Sequence, residues 1–152
     1  MSGKYVHTLY SQKSGLDIAG VVKELEKKNI RTGMVQLRFF HLLPPVEGKI
    51  TQIKFNLEPW EAYDLFLRIN KVFRDGGKEK ITHKFKTADR EIVTSVTVEK
   101  WERDGKAGLG IAAGRDKDFI SVPISQDNAS RFLYVGEFLK FLSTHQQFVE
   151  TE

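Results

Sequence analysis

The chain has 152 residues, the size of one domain built around one core. Hydrophobic residues make up 40% and charged residues 29%, a globular balance that excludes wholesale disorder, and no run approaches the roughly 20 apolar residues of a membrane span. There is no cysteine, which excludes disulfides, thiol catalysis and thiolate metal sites, and the net charge of +4 leans mildly toward polyanionic partners.

The opening Met1–His7 lacks the apolar core of a signal peptide, and the absence of cysteine fits a reducing compartment. The expected location is therefore intracellular, either cytoplasmic or nucleoid-associated. Residues 1–14, rich in Ser, Gly and Lys, show no period and are expected to form a loose arm on a single domain spanning 1–152. Leu16–Asn29 reads as an amphipathic helix, with Ile18, Val21, Val22 and Leu25 at helical spacing. Met34–His41 alternates as a strand, with Val35, Leu37 and Phe39 on one face and Gln36, Arg38 and Phe40 on the other. Ile50–Leu57 alternates again, setting Ile53, Phe55 and Leu57 against Gln52, Lys54 and Asn56.

Glu58-Pro59 starts the clearest helix, because proline suits a first helical turn. Ala62, Leu65, Phe66, Ile69, Val72 and Phe73 form its apolar stripe, and Asp75-Gly76-Gly77 ends it. Four strand-like segments follow: Lys80–Thr87, Glu91–Arg103, Lys106–Arg115 and Asp118–Ile124. Short turns at Ala88-Asp89, Asp104-Gly105 and Asp116-Lys117 join them into an antiparallel meander. A last helix runs from Asp127 to about Phe148.

The predicted fold class is α+β, an antiparallel meander with long helices on one face. A strand–helix unit recurs with one constant offset. Ile53, Phe55, Leu57, Ala62, Leu65, Phe66 and Val72 match Ile120, Val122, Ile124, Ala129, Phe132, Leu133 and Leu139. Duplication produces such a match, and so does any pair of strand–helix units.

Two apolar helices bury one face of an antiparallel sheet and leave the other to solvent. Alternation sends Ile81, Phe85, Ile92, Val96 and Val98 inward. It sends Arg38, Phe40, Lys54, Thr82, Lys84, Lys86, Ser95, Thr97, Trp101, Arg103 and Phe119 outward, against the single clear acid Glu99, with Gly108, Gly110 and Ala112 between them. Cations track a phosphate backbone, aromatic rings stack on unpaired bases, and small residues let a strand lie close. A duplex hides its base faces, so this chemistry favours single strands. A lysine-bearing sheet face also guards against aggregation, and exposed aromatics also mark protein interfaces.

Glu91–Leu142, with E-I-V-T-S-V-T-V-E-K-W, D-G-K, G-L-G-I and F-I-S-V-P-I-S leading into a helix, resembles the single-stranded DNA-binding fold of positive cofactor four. It is also similar to the plant Whirly proteins and to mitochondrial, archaeal and viral single-strand binders. Lys49–Phe73, with F-N-L-E-P-W-E, looks like the strand-into-helix step of the same family, and two such units would be Whirly-like. The resemblance implies single-stranded DNA or RNA as partner, Lys84, Lys86, Thr97, Trp101 and Arg103 on the binding surface, and a homodimer or higher homo-oligomer assembled through the helices.

No catalytic or cofactor signature emerges. Gly108–Gly114 has the wrong spacing for a dinucleotide loop and lies in a strand. His7, His41, His83 and His145 lack paired metal spacing, and His83, alternating with core residues, reads as a satisfied, partly buried side chain. Glu58, Glu61 and Asp64 read as solvated helix charges. The expectation is a non-enzymatic binder without cofactor, metal or membrane partner. A protein-interaction module for transcription or replication is the alternative, and a small-ligand domain the third reading.

Overall fold

The computed structural model describes residues 5–25, 30–43 and 50–147. They form two antiparallel four-stranded meanders, each followed by a helix. The first sheet comprises β1 (Val6–Tyr10), β2 (Ser14–Leu25), β3 (Ile30–His41) and β4 (Gln52–Leu57), and leads into α1 (Pro59–Asp75). The second comprises β5 (Gly77–Lys86), β6 (Glu91–Arg103), β7 (Lys106–Arg115) and β8 (Asp118–Ser125). It leads through a 3-10 turn at Gln126–Asn128 into α2 (Ala129–Gln147). The α+β meander with long helices is thus present, and the recurring unit is a complete four-strand-plus-helix repeat. The alternation could not show that the strands divide into two sheets.

Two expectations for the first unit are corrected. The segment predicted as a helix over Leu16–Asn29 is strand β2 as far as Leu25, while 26–29 lie outside the described residues. Leu16, Ile18 and Gly20 alternate inward, and Ile18 and two valines are β-branched residues that favour a strand. The helical spacing of Ile18, Val21 and Val22 coincides with that alternation. Likewise Val6–Tyr10, expected within the loose arm, pairs along its length with β2 from Val6↔Ala19 to Tyr10↔Gly15. Residues 1–4 lie outside the described residues.

The turns form where their residues require. Asp104 and Gly105 both take positive φ, at 51° and 77°, in the two-residue β6–β7 hairpin. At the start of α1 the Glu61 carboxylate accepts the Glu58 N–H at 3.1 Å, and Trp60 Nε1 donates to Glu58 at 2.7 Å.

A single hydrophobic cluster runs through both units. It joins Leu16, Ile18, Leu37, Phe39, Ile53 and Phe55 to Val96, Val98, Ile111, Ile120 and Val122 by way of both helices. α1 and α2 pack on each other and on both sheets, β4 lies against β6 and β7, and β8 lies against β2 and β3. At the helix crossing a Cβ on Gly136 would sit 3.2 Å from Ile69 and 3.4 Å from Phe66. Ile69 and Gly136 are equivalent under the repeat offset, so the crossing lies on the pseudo-twofold axis relating the units.

Polar contacts fasten the edges. Arg115 Nη2 donates to the Lys54 carbonyl on β4 at 3.2 Å, and Ser14 Oγ donates to the Ser121 carbonyl on β8 at 2.6 Å. The Gln146 amide near the end of α2 donates to Val21 O at 2.8 Å and Met34 O at 2.9 Å, sitting over Gly20. His7 on β1 lies against Tyr134 and Phe138 of α2, with ring centroids 4.8 and 5.6 Å away.

Gly136→Val should wedge the helices apart and destabilise the protein by about 1–3 kcal/mol, read as a lower urea midpoint. A second expectation concerns pH. Burial, and secondarily the Arg131 charge, hold the His7 pKa below its usual 6.5. The folded state therefore favours the neutral ring. Its contribution is complete above the unfolded pKa and is lost as pH falls below it, because the unfolded chain takes up the proton more readily. Stability should decline as pH drops through the mid-6 range, and His7→Phe should flatten that slope in urea titrations at stepped pH.

Candidate nucleic-acid interface

Strand pairing divides the sequence-predicted residues between two surfaces. Arg38, Phe40 and Lys54 lie on the outward face of the first sheet, whereas Lys84, Lys86, Thr97, Trp101, Arg103 and Phe119 lie on that of the second. Their facing agrees with the alternation, but the chain does not gather them on one plane.

On the first sheet's outward face Arg38 is neutralised, while Lys54 makes no ion pair among the described residues. The central row of that face runs Thr8–Asp17–Arg38–Lys54 across the four strands. Arg38 makes a two-nitrogen ion pair with Asp17, through Nε at 3.0 Å and through Nη2, and Thr8 Oγ1 donates to the same carboxylate at 2.7 Å. Arg38 Nη1 also donates to Gln52 at 3.1 Å. The neighbouring row pairs the amides of Gln36 and Asn56 at 3.1 Å. The helical spacing around Asp17 hides this neutralising acid from sequence reasoning.

The second sheet's outward face carries an excess of cations, with Glu99 opposite Lys78 and Glu91 opposite Lys86 as its acids. Along β5 the even-numbered positions Lys78, Lys80, Thr82, Lys84 and Lys86 face outward. The acid of that strand, Glu79, turns the other way and meets Arg68 at 3.2 Å and Lys71 at 3.6 Å on α1. Among the described residues none of the four outward ammonium groups has a carboxylate within ion-pair distance. Lys78 and Lys80 extend the row that the sequence suggests. The period-two lysines signal them, although the glycines of Gly76-Gly77-Lys78 draw the eye to a helix stop instead.

Aromatic rings stand at both ends of this face. Phe119, 63% exposed, shares a row with Gly114, Ser95 and Thr82. Trp101 pairs across the ladder with Gly108, and its indole lies so close over Gly108 that a Cβ there would collide with it. Three two-residue steps along β6 separate the rows, about 20 Å at strand rise. Thr97 with Ala112, and Glu99 with Gly110, lie between them. The Arg103 guanidinium stands 5.7 Å from the indole centroid. Phe40 repeats this arrangement on the first sheet, lying over its partner Gly15 with Arg38 4.6 Å from its ring. Glycine in these strands makes room for a ring to lie along the ladder.

Several side chains depart from expectation. Phe85 shares the inward register but is 52% exposed, because it lies past the start of α1, whose first turn meets β5 at His83. Glu61 is largely buried and is not a solvated charge: its Oε2 lies 2.6 Å from His83 Nε2. His83 stacks on Phe55 at 4.3 Å and is the satisfied, partly buried side chain expected. Asp64 pairs with Arg68 at 3.0 Å.

A groove enclosing about 1380 Å³ opens where the two sheets meet. The Tyr10–Ser14 turn forms one wall, and Trp101, the β6–β7 turn and the end of β8 form the other. Sequence alone could not find it, because its walls come from distant segments.

No protein-family model matches the chain, and no curated protein matches it at a significant level. Among solved structures it is similar to WHY1 from Arabidopsis thaliana, with a TM-score of 0.55 and 14% identity over 97% of this chain and 89% of that one. At that identity the likeness concerns architecture alone: the chain has a Whirly-like fold.

Proposed function

We propose that the protein binds single-stranded nucleic acid, by contact rather than catalysis, on the outward face of its second sheet. The observation that carries this reading is the row Lys78, Lys80, Lys84 and Lys86, none of them held in an ion pair among the described residues, with the exposed Phe119 at one end of the same sheet and the half-buried Trp101 at the other. Lysines supply sequence-independent phosphate contacts and release counterions. Phe119 and Trp101 supply stacking surfaces worth roughly 1–3 kcal/mol per base, which only unpaired bases can use. The Whirly-like fold supports the same reading, since single-stranded DNA is the partner which that resemblance implies. DNA is the favoured ligand and RNA the second, with little sequence preference, because neither phosphate contact nor stacking reads a base edge.

The first sheet would contribute less to affinity, since Asp17 already holds Arg38. Lys54 and Phe40 remain as secondary contacts there.

A second surface favours self-association. Trp60, Tyr63 and Leu67 form an exposed apolar stripe on α1, and Tyr134 and Phe141 are exposed on α2. Apolar side chains on helix exteriors are suited to burial against a copy of the same chain.

Fluorescence anisotropy with labelled single-stranded DNA, RNA and duplex of equal length tests the binding reading. Single strands should bind more tightly than duplex, with affinity falling as salt rises. Lys84→Ala with Lys86→Ala should reduce the log–log salt slope by about 1.4, at ~0.7 for each phosphate no longer neutralised. Phe119→Ala should weaken binding by roughly five- to a hundredfold while leaving that slope unchanged. No binding at low salt would overturn the reading and leave the aromatic face to a protein partner. For assembly, light scattering should show a homo-oligomer that Leu67→Glu converts to a smaller species; an unchanged mass would exclude the α1 stripe.

A further inference from the structure

We propose that one single strand threads the groove between the two sheets of the same chain, with a base stacked on Trp101 and phosphates held by Lys13 and Lys106. The proposal rests on the single-strand reading and adds a path and contact residues to it.

The groove joins two outward faces. Tyr10 belongs to the first sheet, where its ring stands edge-on to Phe40 at 6.3 Å, and Trp101 and Pro123 belong to the second. A chain leaving the lysine row of β5 and crossing the sheet past Thr97 reaches Trp101 at the groove wall. Continuing through the groove, it emerges beside Tyr10 and Phe40. The two Gly-backed rings, otherwise unrelated features of separate sheets, then lie at either side of one route.

Charge fits that occupant. Lys13 and Lys106 face each other's turns across the groove, and neither ammonium has a carboxylate partner among the described residues. Arg131 adds a third cation, positioned by donation from Nη2 to the Tyr10 carbonyl. Asp127 is the acid among the lining residues. Stacking surface and cations together suit an unpaired nucleotide. A duplex offers no open base face for Trp101.

The chain has two tryptophans, and Trp60 is exposed on α1, so Trp60→Phe leaves Trp101 as the sole indole reporter. This variant is titrated with end-labelled oligo-dT, following anisotropy and indole emission together. Saturable quenching of Trp101 should track the anisotropy rise. Lys13→Glu with Lys106→Glu, in the β1–β2 turn and at the start of β7, should weaken binding at least about tenfold and lower the salt slope by roughly 1.4. Anisotropy showing tight binding, with Trp101 emission unmoved and the charge-reversed variant binding normally, would overturn the groove path and restrict the sheet-face reading to the lysine row and Phe119. Failure of oligo-dT to raise the anisotropy at low salt would overturn both.

Discussion

The arrangement of this protein depends on the close contact between α1 and α2 at Ile69 and Gly136. The absence of a side chain on Gly136 lets the helices approach, and each helix then reaches both sheets. Because the touching residues are repeat equivalents, the crossing also fixes the axis that relates the two units. The sheets, the angle between their outward faces and the groove at their junction all follow from that one approach. Interior packing at crystal-like density makes such a point intolerant of added volume.

Around that contact the polar groups serve two ends. Buried or half-buried ones fasten the units: Arg115 and Ser14 reach carbonyls of the opposite sheet, Gln146 secures α2 to the β2–β3 hairpin, and His83 with Glu61 ties α1 to β5. Those of Ser14, Gln146 and Glu61, which are part-buried, satisfy groups that would otherwise lack partners away from water. The outward polar groups of β5 have no such duty. Their lysines outnumber the facing acids Glu91 and Glu99 because Glu79 is turned inward by the strand period to serve Arg68 and Lys71. One alternation thus separates structural charge from available charge.

Much of the second unit was legible in the sequence. Its strands alternate cleanly, its turns carry Asp-Gly and Asp-Lys pairs, and the facing of Lys84, Lys86, Thr97, Trp101, Arg103 and Phe119 follows from period two alone. The first unit was harder for a physical reason. Ile18, Val21 and Val22 satisfy a helical stripe while Leu16, Ile18 and Gly20 satisfy a strand, and pairing with β1 and β3 decides between them. Such pairing is a long-range fact that no local window contains. The division into two sheets, the ion pair of Arg38 with Asp17 and the groove were hidden for the same reason, since each depends on segments that meet only in space.

The covalent joining of the two repeats has a consequence for how their surfaces can diverge. Were each unit a separate chain in a symmetric dimer, any substitution would appear on both sheets at once. Within one chain, Asp17 can neutralise an arginine on the first sheet while the second retains a lysine row that outnumbers its facing acids. Fusion thereby releases the two faces from symmetry. One sheet is free to become a quiet scaffold and the other a charged contact surface, while the pseudo-twofold core that supports them stays matched.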